Sequence, residues 1–384
     1  MTRRNSHLPP VRDATGAGVP LRVELEFGSP FELLIGLYAL GTPDEERLRS
    51  WVPRLPDCTR ATRDALQAVG ERAGEVWLHL LGLALETEAE DASGFVEAVA
   101  GLKPLELRRH LVGAYVPAWV GLLGEDVLER AARGERGAAR RLLSQPRYYG
   151  GRARESLGLL LPLTPAETKR RLVAALRAFA EEVFSPHEGG LRAELAADVA
   201  AKRLLAERMP TQELVTAAAR GYVYEPEPEF TRVALVPHVA ARPWILLCQH
   251  RDTRIVCYAV PEPPELDPER ATADRLARLG RALGDAKRVA ILLRLRNSEA
   301  TFAELAEEVG LARSTTHHHL AQLRAAGLIA LRGNARGYRY ALSDGGFEAA
   351  ATLLGGFAPA SGEPSPAPEQ QLPPASDAAT LRPP

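Results

Sequence analysis

The sequence predicts a mainly α-helical fold with small β elements, and three observations favour this class. Ala, Leu, Arg and Gly dominate the 384 residues, whereas aromatic residues make up only 6% of them. From Phe31 to about Arg220, apolar residues recur at helical spacing, and glycine and proline interrupt them often. Short stretches before and after this region instead have the patterns of strands. The length is sufficient for two or three domains.

The N-terminal part is predicted to form a helical domain at residues 21–225, preceded by a disordered tail at 1–20. The tail is polar and lacks the apolar stretch of a signal peptide. Leu21 to Phe27 alternates and predicts a short strand. Ser29-Pro30-Phe31-Glu32 then predicts a helix start, with Ser29 as the cap. We expect six to nine helices of moderate length, and a sensor or dimerisation role for the domain.

A β-rich segment and linker are predicted at residues 226–267. The stretch Tyr222-Val-Tyr-Glu-Pro-Glu-Pro-Glu has the composition of a linker. Three runs rich in Val, Ile, Leu and Tyr then predict strands, at Phe230–Val236, Trp244–Gln249 and Arg254–Val260.

Residues 268–346 have the pattern of a helix, a tight turn and a second helix. An apolar stripe first predicts one long or broken helix, through Leu276, Leu279, Leu283, Val289, Leu292 and Leu293. Thr301 and Glu304 have the spacing of a capping box, which predicts a short helix up to Val309. The turn begins at Gly310. A second helix is predicted from about Arg313 to Ala326, ended by Gly327.

The inward-facing residues of the two helices and a hairpin that follows them predict a winged helix-turn-helix of α+β type. The short helix turns Phe302, Leu305 and Val309 inward, and the second helix turns Thr316, Leu320 and Leu323 inward. Residues 328–332 and 338–342 predict a hairpin with a basic tip. For residues 347–384 we expect a short helix and then a disordered tail, which holds eight prolines.

This arrangement predicts binding of double-stranded DNA, because the second helix would stand free to enter a major groove. Residues 270–344 hold 13 Lys or Arg and seven Asp or Glu, a formal charge of +6 on a chain whose total is -1. No acidic residue occurs from Leu311 to Arg339. The candidate DNA contacts on the helix are Arg313, Ser314, Thr315, His317, His318 and Gln322. Those on the wing are Arg332, Arg336 and Arg339.

The sequence from Ala303 to Ile329 resembles the ArsR-like family of bacterial transcriptional regulators. The resemblance rests on the polar entry to the second helix and on His319-Leu320, Leu323 and Ala326-Gly327-Leu328. Gly284-Asp285-Ala-Lys-Arg-Val-Ala-Ile-Leu is also similar to the family's first helix. The whole layout resembles longer members with a large uncharacterised N-terminal domain. The resemblance implies a transcriptional regulator that acts as a homodimer. Three widely spaced cysteines without a CxxC motif indicate a reducing cytoplasm.

Other functions are less consistent with the sequence. The two metal sites of the family's sensors are absent, since Phe302–Val309 has no cysteine and the last helix offers only Glu348. Three consecutive histidines, 317–319, fan out by about 100° each on a helix, so we expect two to face outward and His319 to pack inward. We expect no cofactor, no membrane span and no enzyme activity. An unknown small-molecule or protein effector of the N-terminal domain is expected; the alternative is a helical enzyme or scaffold that the DNA-binding module localises.

Two clusters in the N-terminal domain have both a structural and a functional interpretation. Arg108-Arg109-His110 could bind an anion, although a solvated helix face is favoured. The aromatic residues Tyr115, Trp119, Tyr148 and Tyr149 could line a ligand pocket, although core packing is favoured.

Overall fold

The computed structural model describes residues 21–41, 51–70, 74–219, 221–261, 268–334 and 337–356, apart from the side chains of Gln212, Arg313 and Ser314. The tails predicted at 1–20 and beyond 356 lie outside the described residues. The described chain is mainly helical with two small sheets, as the sequence predicts. Within this part of the chain, no helix is both long and apolar enough to cross a membrane.

A four-stranded sheet forms the middle of three layers. Its strands are β1 (Arg22–Leu25), β3 (Arg232–His238), β4 (Leu246–His250) and β5 (Thr253–Ala259), in the order β1-β3-β5-β4. The first two neighbouring pairs are parallel, and β4 is antiparallel to β5. The register places Val23 opposite Val233 and Val236 opposite Cys257. All four strands lie close to the stretches that alternation and β-branched residues predict.

Successive side chains of this sheet point to opposite faces, and each face meets a different layer. Val236, Ile255 and Cys257 pack with the N-terminal helices. Val233, Leu235, Val256 and Tyr258 pack with the C-terminal helices. Burial on both faces explains why the strands are continuous apolar runs rather than half-polar ones.

The first layer is a helical body inserted between the neighbouring strands β1 and β3. Its described part contains 13 α-helices rather than the predicted six to nine, because glycines and prolines divide the apolar stretches into shorter helices than periodicity indicates. They are α1 (Ser29–Leu40), α2 (Arg60–Gln67), α3 (Gly74–Leu78), α4 (Leu81–Glu86), α5 (Ala92–Gly101), α6 (Pro104–Leu111), α7 (Pro117–Leu123), α8 (Glu125–Ala132), α9 (Arg136–Ser144), α10 (Ala153–Leu157), α11 (Pro165–Phe179), α12 (Ser185–Ala206) and α13 (Thr211–Ala218).

The start of α1 differs from the prediction. Gly28 is the N-cap, and the hydroxyl of the buried Ser29 has no hydrogen-bond partner among the described residues. Glu32, in the first turn of α1, is fully buried. Its carboxylate accepts hydrogen bonds from the backbone amides of Val239 and Ala240, at 3.0 and 2.7 Å, and from Trp51 Nε1 at 2.7 Å. Glu32 therefore attaches α1 to the loop that follows β3.

Arg108 and His110 do not lie on a solvated helix face, which corrects the favoured interpretation of that cluster. Arg108 is buried, and its guanidinium donates to the carbonyl of Leu161 at 2.6 Å and to the hydroxyl of Thr168 at 3.2 Å. His110 is only 2% exposed. A buried cation whose terminal nitrogens donate to carbonyl and hydroxyl oxygens fixes the geometry between helices, and local sequence gives no indication of it.

The third layer contains the helices and hairpin predicted near the C-terminus. Its elements are α14 (Pro268–Leu283), α15 (Ala286–Asn297), α16 (Phe302–Val309), α17 (Arg313–Ala325), β6 (Ile329–Asn334), β7 (Gly337–Leu342) and α18 (Gly346–Gly355). The apolar stripe is divided between α14 and α15. The break falls at Asp285, whose side chain caps α15 by accepting from the amides of Lys287 and Arg288 at 2.8 and 3.0 Å.

The capping box of α16 has both of its hydrogen bonds. The Thr301 hydroxyl accepts from the Glu304 amide at 3.3 Å, and the Glu304 carboxylate accepts from the Thr301 amide at 2.7 Å. Gly310 then adopts a left-handed conformation with φ of 64°, which ends α16 and turns the chain toward α17.

The stretch predicted as a linker contains a strand instead. β2 (Tyr222–Tyr224) pairs in parallel with β6, with Tyr222 opposite Leu331, and forms a three-stranded sheet with β6 and β7. Tyr222 is fully buried, and its hydroxyl donates to the carbonyl of Gly333 at 3.1 Å. Contacts thus run across the predicted domain boundaries, both here and between β1 and β3.

Candidate nucleic-acid interface

The inner face of α17 is packed as its spacing predicts. Thr316, Leu320 and Leu323 are buried, and the two leucines belong to the cluster that includes Leu305 and Val309 of α16. The Thr316 hydroxyl donates to the carbonyl of Ala312 at 3.1 Å, so it is satisfied within the helix. This packing sets the rotation of α17 and therefore which side chains can reach a ligand.

The opposite face of α17 is open. Thr315 is exposed, while His318 and Gln322 are half-buried. Successive residues of a helix turn by 100°, so these three side chains lie within about 60° of one another. Short hydroxyl, imidazole and amide groups on one open face are suited to the edges of bases. Arg313 and Ser314 belong to the first turn of the same helix by their backbone positions.

One flank of α17 faces the rest of the protein rather than solvent. His317 is exposed, yet its ring stacks on Phe302 with centroids 4.1 Å apart and lies 6.4 Å from the ring of Trp244. Ala321 and Arg324 follow at helical spacing on the same flank. Ala321 is buried and Arg324 is half-buried. Trp244 belongs to the β3–β4 loop, so the central sheet approaches the helix from this side.

His319 packs inward, as the fanning of the three histidines predicts. It is 7% exposed, and its Nδ1 lies 3.2 Å from Arg288 Nη1 and 3.8 Å from the Asp285 carboxylate. Burial lowers the pKa of His319, although Asp285 opposes this effect. Among the described residues, no group of three or more His, Cys, Asp and Glu side chains is arranged to hold a metal ion.

The wing arginines are engaged with acidic groups. Arg332 Nη2 lies 3.0 Å from Asp344, and its Nε lies 3.8 Å from Glu299. Arg339 donates to the carbonyl of Glu299 at 3.4 Å and lies 3.8 Å from Glu304. Arg339 and Glu304 are exposed, so a phosphate could replace their contact at low cost, whereas Arg332 is half-buried. Arg336 lies outside the described residues.

The sequence reasoning missed the role of Trp244, Phe302 and Arg324 around α17. Phe302 was expected only as core of α16, and Trp244 only as part of a strand. The spacing of His317, Ala321 and Arg324 indicates a shared flank. The residues that cover it come from distant parts of the chain, however, and only the fold brings them together.

Comparison with known proteins identifies this region. Residues 285–330 match the family model described as bacterial regulatory protein, arsR family. This part of the chain is similar to the helix-turn-helix of that family. The matched range contains α15, α16, α17 and the start of β6, which are the elements that carry the open face described above.

Curated relatives of this ArsR-family segment are transcriptional regulators. The HTH-type transcriptional regulator CmtR of Mycobacterium bovis (strain ATCC BAA-935 / AF2122/97) is 45% identical over 69 residues, as is CmtR of Mycobacterium tuberculosis (strain ATCC 25618 / H37Rv). The match covers 18% of this chain and 58% of each relative. The chain therefore spans little more than half the length of these relatives.

A solved structure is also similar. NolR from Sinorhizobium fredii is 31% identical, and the match covers 26% of this chain and 100% of that one, with a TM-score of 0.20.

Proposed function

We propose that the protein is a transcriptional regulator that binds double-stranded DNA by placing α17 in the major groove. The open face of α17, with Thr315, His318 and Gln322, carries this proposal. Its dimensions suit the groove, which is about 12 Å wide. The ArsR-family match over 285–330 and the CmtR relatives, named as transcriptional regulators, support it.

Different residues have different tasks in this proposal. Thr315, His318 and Gln322 contact bases and set the sequence preference. Arg313 and Ser314 bind phosphate at the start of α17, where backbone amides favour an anion. Arg332, Arg336 and Arg339 bind the neighbouring backbone from the wing. His317 contacts DNA from the edge of the face, with its ring orientation set by Phe302.

The proposed regulator is a homodimer. Leu283 at the end of α14 and Leu354 of α18 are 38% and 52% exposed, so apolar surface remains on both helices. Leu279, by contrast, is buried within the chain, so it does not contribute to a contact between copies. Two copies related by a two-fold axis would bind an inverted repeat with half-sites about 10 base pairs apart, or a multiple of that distance. A monomeric sedimentation mass at micromolar concentration, with and without DNA, would contradict this assembly.

The experiment that tests the function uses the full-length chain and a pool of random duplexes. We expect enrichment of a defined motif, and an affinity that falls steeply between roughly 50 and 200 mM salt because counterions are released from DNA. Arg60→Gln is the matched control for a lost charge, because Arg60 is an exposed residue of α2 in the helical body. Its affinity should equal that of the wild type, whereas Arg339→Gln should bind more weakly. Binding that is insensitive to salt, or no enriched motif, would overturn the proposal.

A further inference from the structure

A cavity of about 680 Å³ lies beside α17, between the sheet layer and the C-terminal layer. Its wall includes Ile245 and Tyr258 of the sheet layer, Arg275 and Leu279 of α14, Arg324 of α17 and Leu353 of α18. This volume is within the range of about 300–1,000 Å³ that is typical of small-molecule sites. Arg275, Gly327 and Asp344 at its rim are exposed, so a ligand can enter from solvent.

The lining combines an apolar surface with an excess of positive charge. Four of the described lining residues are arginines, and Asp344 is the one acidic residue among them. Asp344 is already paired with Arg332 at 3.0 Å. Arg242 is likewise occupied, by Glu194 and by the carbonyl of Val260 at 2.7 Å. The charge that remains for a ligand is therefore positive.

Arg324 is a half-buried lining cation for which no partner is found among the described residues. Its Nε is enclosed and has no hydrogen bond among the described residues, and no ion pair of its guanidinium is found there. Burial lowers its pKa, and only Tyr340 opposes this effect. A guanidinium stays charged in proteins, and an enclosed charge without a partner is costly. A bound anion would remove that cost.

We propose that this cavity binds a small effector with an apolar body and one anionic group, a carboxylate or a phosphate, with the anionic group on Arg324. The apolar body would lie against Ile245, Tyr258, Leu279 and Leu353. Arg324 is on the flank of α17 that faces the sheet. The ligand would therefore contact α17 without covering Thr315, His318 or Gln322. Its effect on DNA affinity rests on the function proposed above, whereas ligand binding does not.

The binding test uses the full-length chain without DNA and the aromatic probes 2-naphthoate, 2-naphthyl phosphate and the neutral 2-naphthamide. Calorimetry and thermal melts should show binding of at least one anionic probe, at least tenfold tighter than the amide. The tighter of the two anions identifies the preferred group. Equal binding of acid and amide would overturn recognition of charge, and no binding of either anion at millimolar concentration would overturn the site.

Two cavity variants and one control locate the probe. Arg324→Met should weaken the anion at least tenfold while leaving the melting temperature of the free protein unchanged or higher, because an unpaired charge is removed. Ala350→Trp should block all probes by filling the cavity, and it also serves as the test if Arg324→Met fails to fold. Gln322→Met, on the open face of the same helix, should keep the affinity of the wild type for the anion. Unchanged anion binding in both cavity variants would overturn the assignment.

The effector role is tested separately. A saturating anionic probe should change the affinity for the selected duplex at least threefold, and the duplex should change the affinity for the probe by the same factor. Probe binding without such a change would overturn the effector role. A chain that binds the probe but no duplex would instead contradict the function proposed above, so the two failures are distinguishable.

Discussion

The helical body and the C-terminal layer are both helical and both pack on the central sheet, but different interactions determine their structures. In the C-terminal layer, α15 and α16 are bounded by local features: the Asp285 cap, the capping box and the left-handed Gly310. In the body, buried polar side chains such as Glu32 and Arg108 join segments that are far apart in sequence. The body should therefore be sensitive to loss of single charges, and the C-terminal layer to loss of apolar packing.

The largest effect is expected at a buried ion pair outside both helical regions, between Arg254 of β5 in the central sheet and Glu227. Both residues are at most 1% exposed, and their side chains approach to 2.6 Å. Arg254→Met should lower the free energy of unfolding by about 3–5 kcal/mol, because the buried Glu227 carboxylate loses the guanidinium with which it is paired. Chemical denaturation would measure the change.

Two further variants make this prediction sharper. Arg177→Met removes an exposed pair with Glu97 and should cost less than about 1 kcal/mol. The double variant Arg254→Met/Glu227→Leu should recover much of the lost stability, since no unpaired charge remains. If the double variant is as unstable as Arg254→Met alone, packing rather than charge explains the effect.

In the C-terminal layer, Leu323→Ala should lower the free energy of unfolding by about 2–5 kcal/mol, because it leaves a cavity beneath α17. Leu323 is fully buried in the cluster that joins α16 and α17. His318→Ala is the matched control on the same helix, and it should leave stability nearly unchanged. Thermal melts that give the reverse order would show that the inward and outward faces of α17 are wrongly assigned.

We expect the stability of the helical body to fall at acid pH. Burial, partly offset by Glu86 and Glu106, lowers the pKa of His110 from 6.5 to about 4, while His250 and Arg251 add to the lowering. The unfolded chain then binds a proton that the folded chain does not, so stability should fall as the pH drops from about 6.5 to about 4. The loss from His110 should reach at most about 3 kcal/mol. Denaturation of wild type and His110→Gln across this range would measure it; equal slopes would contradict the assignment.

The smallest effect is expected at the capping box. Thr301→Ala should cost about 1 kcal/mol, since the amide of Glu304 loses its acceptor. Thr301→Ser keeps the hydroxyl and should retain most of the stability in the same denaturation experiment. A Ser variant as unstable as the Ala variant would mean that the hydroxyl is not what stabilises the start of α16.

The sequence predicted these two regions unequally for a physical reason. Helix boundaries in the C-terminal layer depend on residues within four positions of one another, and the strands depend on apolar runs, so both can be recognised locally. The pairing of β2 with β6 depends on residues over 100 positions apart. The buried state of Arg108 depends on carbonyls over 50 positions away. Neither the β2–β6 pairing nor the burial of Arg108 can therefore be predicted from a local sequence pattern.

The same distinction applies to the candidate DNA site. Helical spacing was sufficient to separate the inward Thr316, Leu320 and Leu323 from the open face, and to turn His319 inward. It could not show that Trp244 approaches His317, or that Arg332 and Arg339 are held by Asp344 and Glu304. Those contacts depend on the loop after β3, on the turn between β7 and α18, and on α16.

The central claim is that the open face of α17 determines which DNA sequence is bound, whereas the wing only adds affinity. The most direct measurement is binding-site selection on full-length Gln322→Ala and Arg339→Gln, each paired with a salt titration. We expect Gln322→Ala to change the preferred motif, with about 1–3 kcal/mol of discrimination lost at one base pair. Arg339→Gln should keep the motif, weaken all sequences nearly equally and flatten the salt slope by about one unit. A changed motif for Arg339→Gln, together with an unchanged one for Gln322→Ala, would contradict the claim.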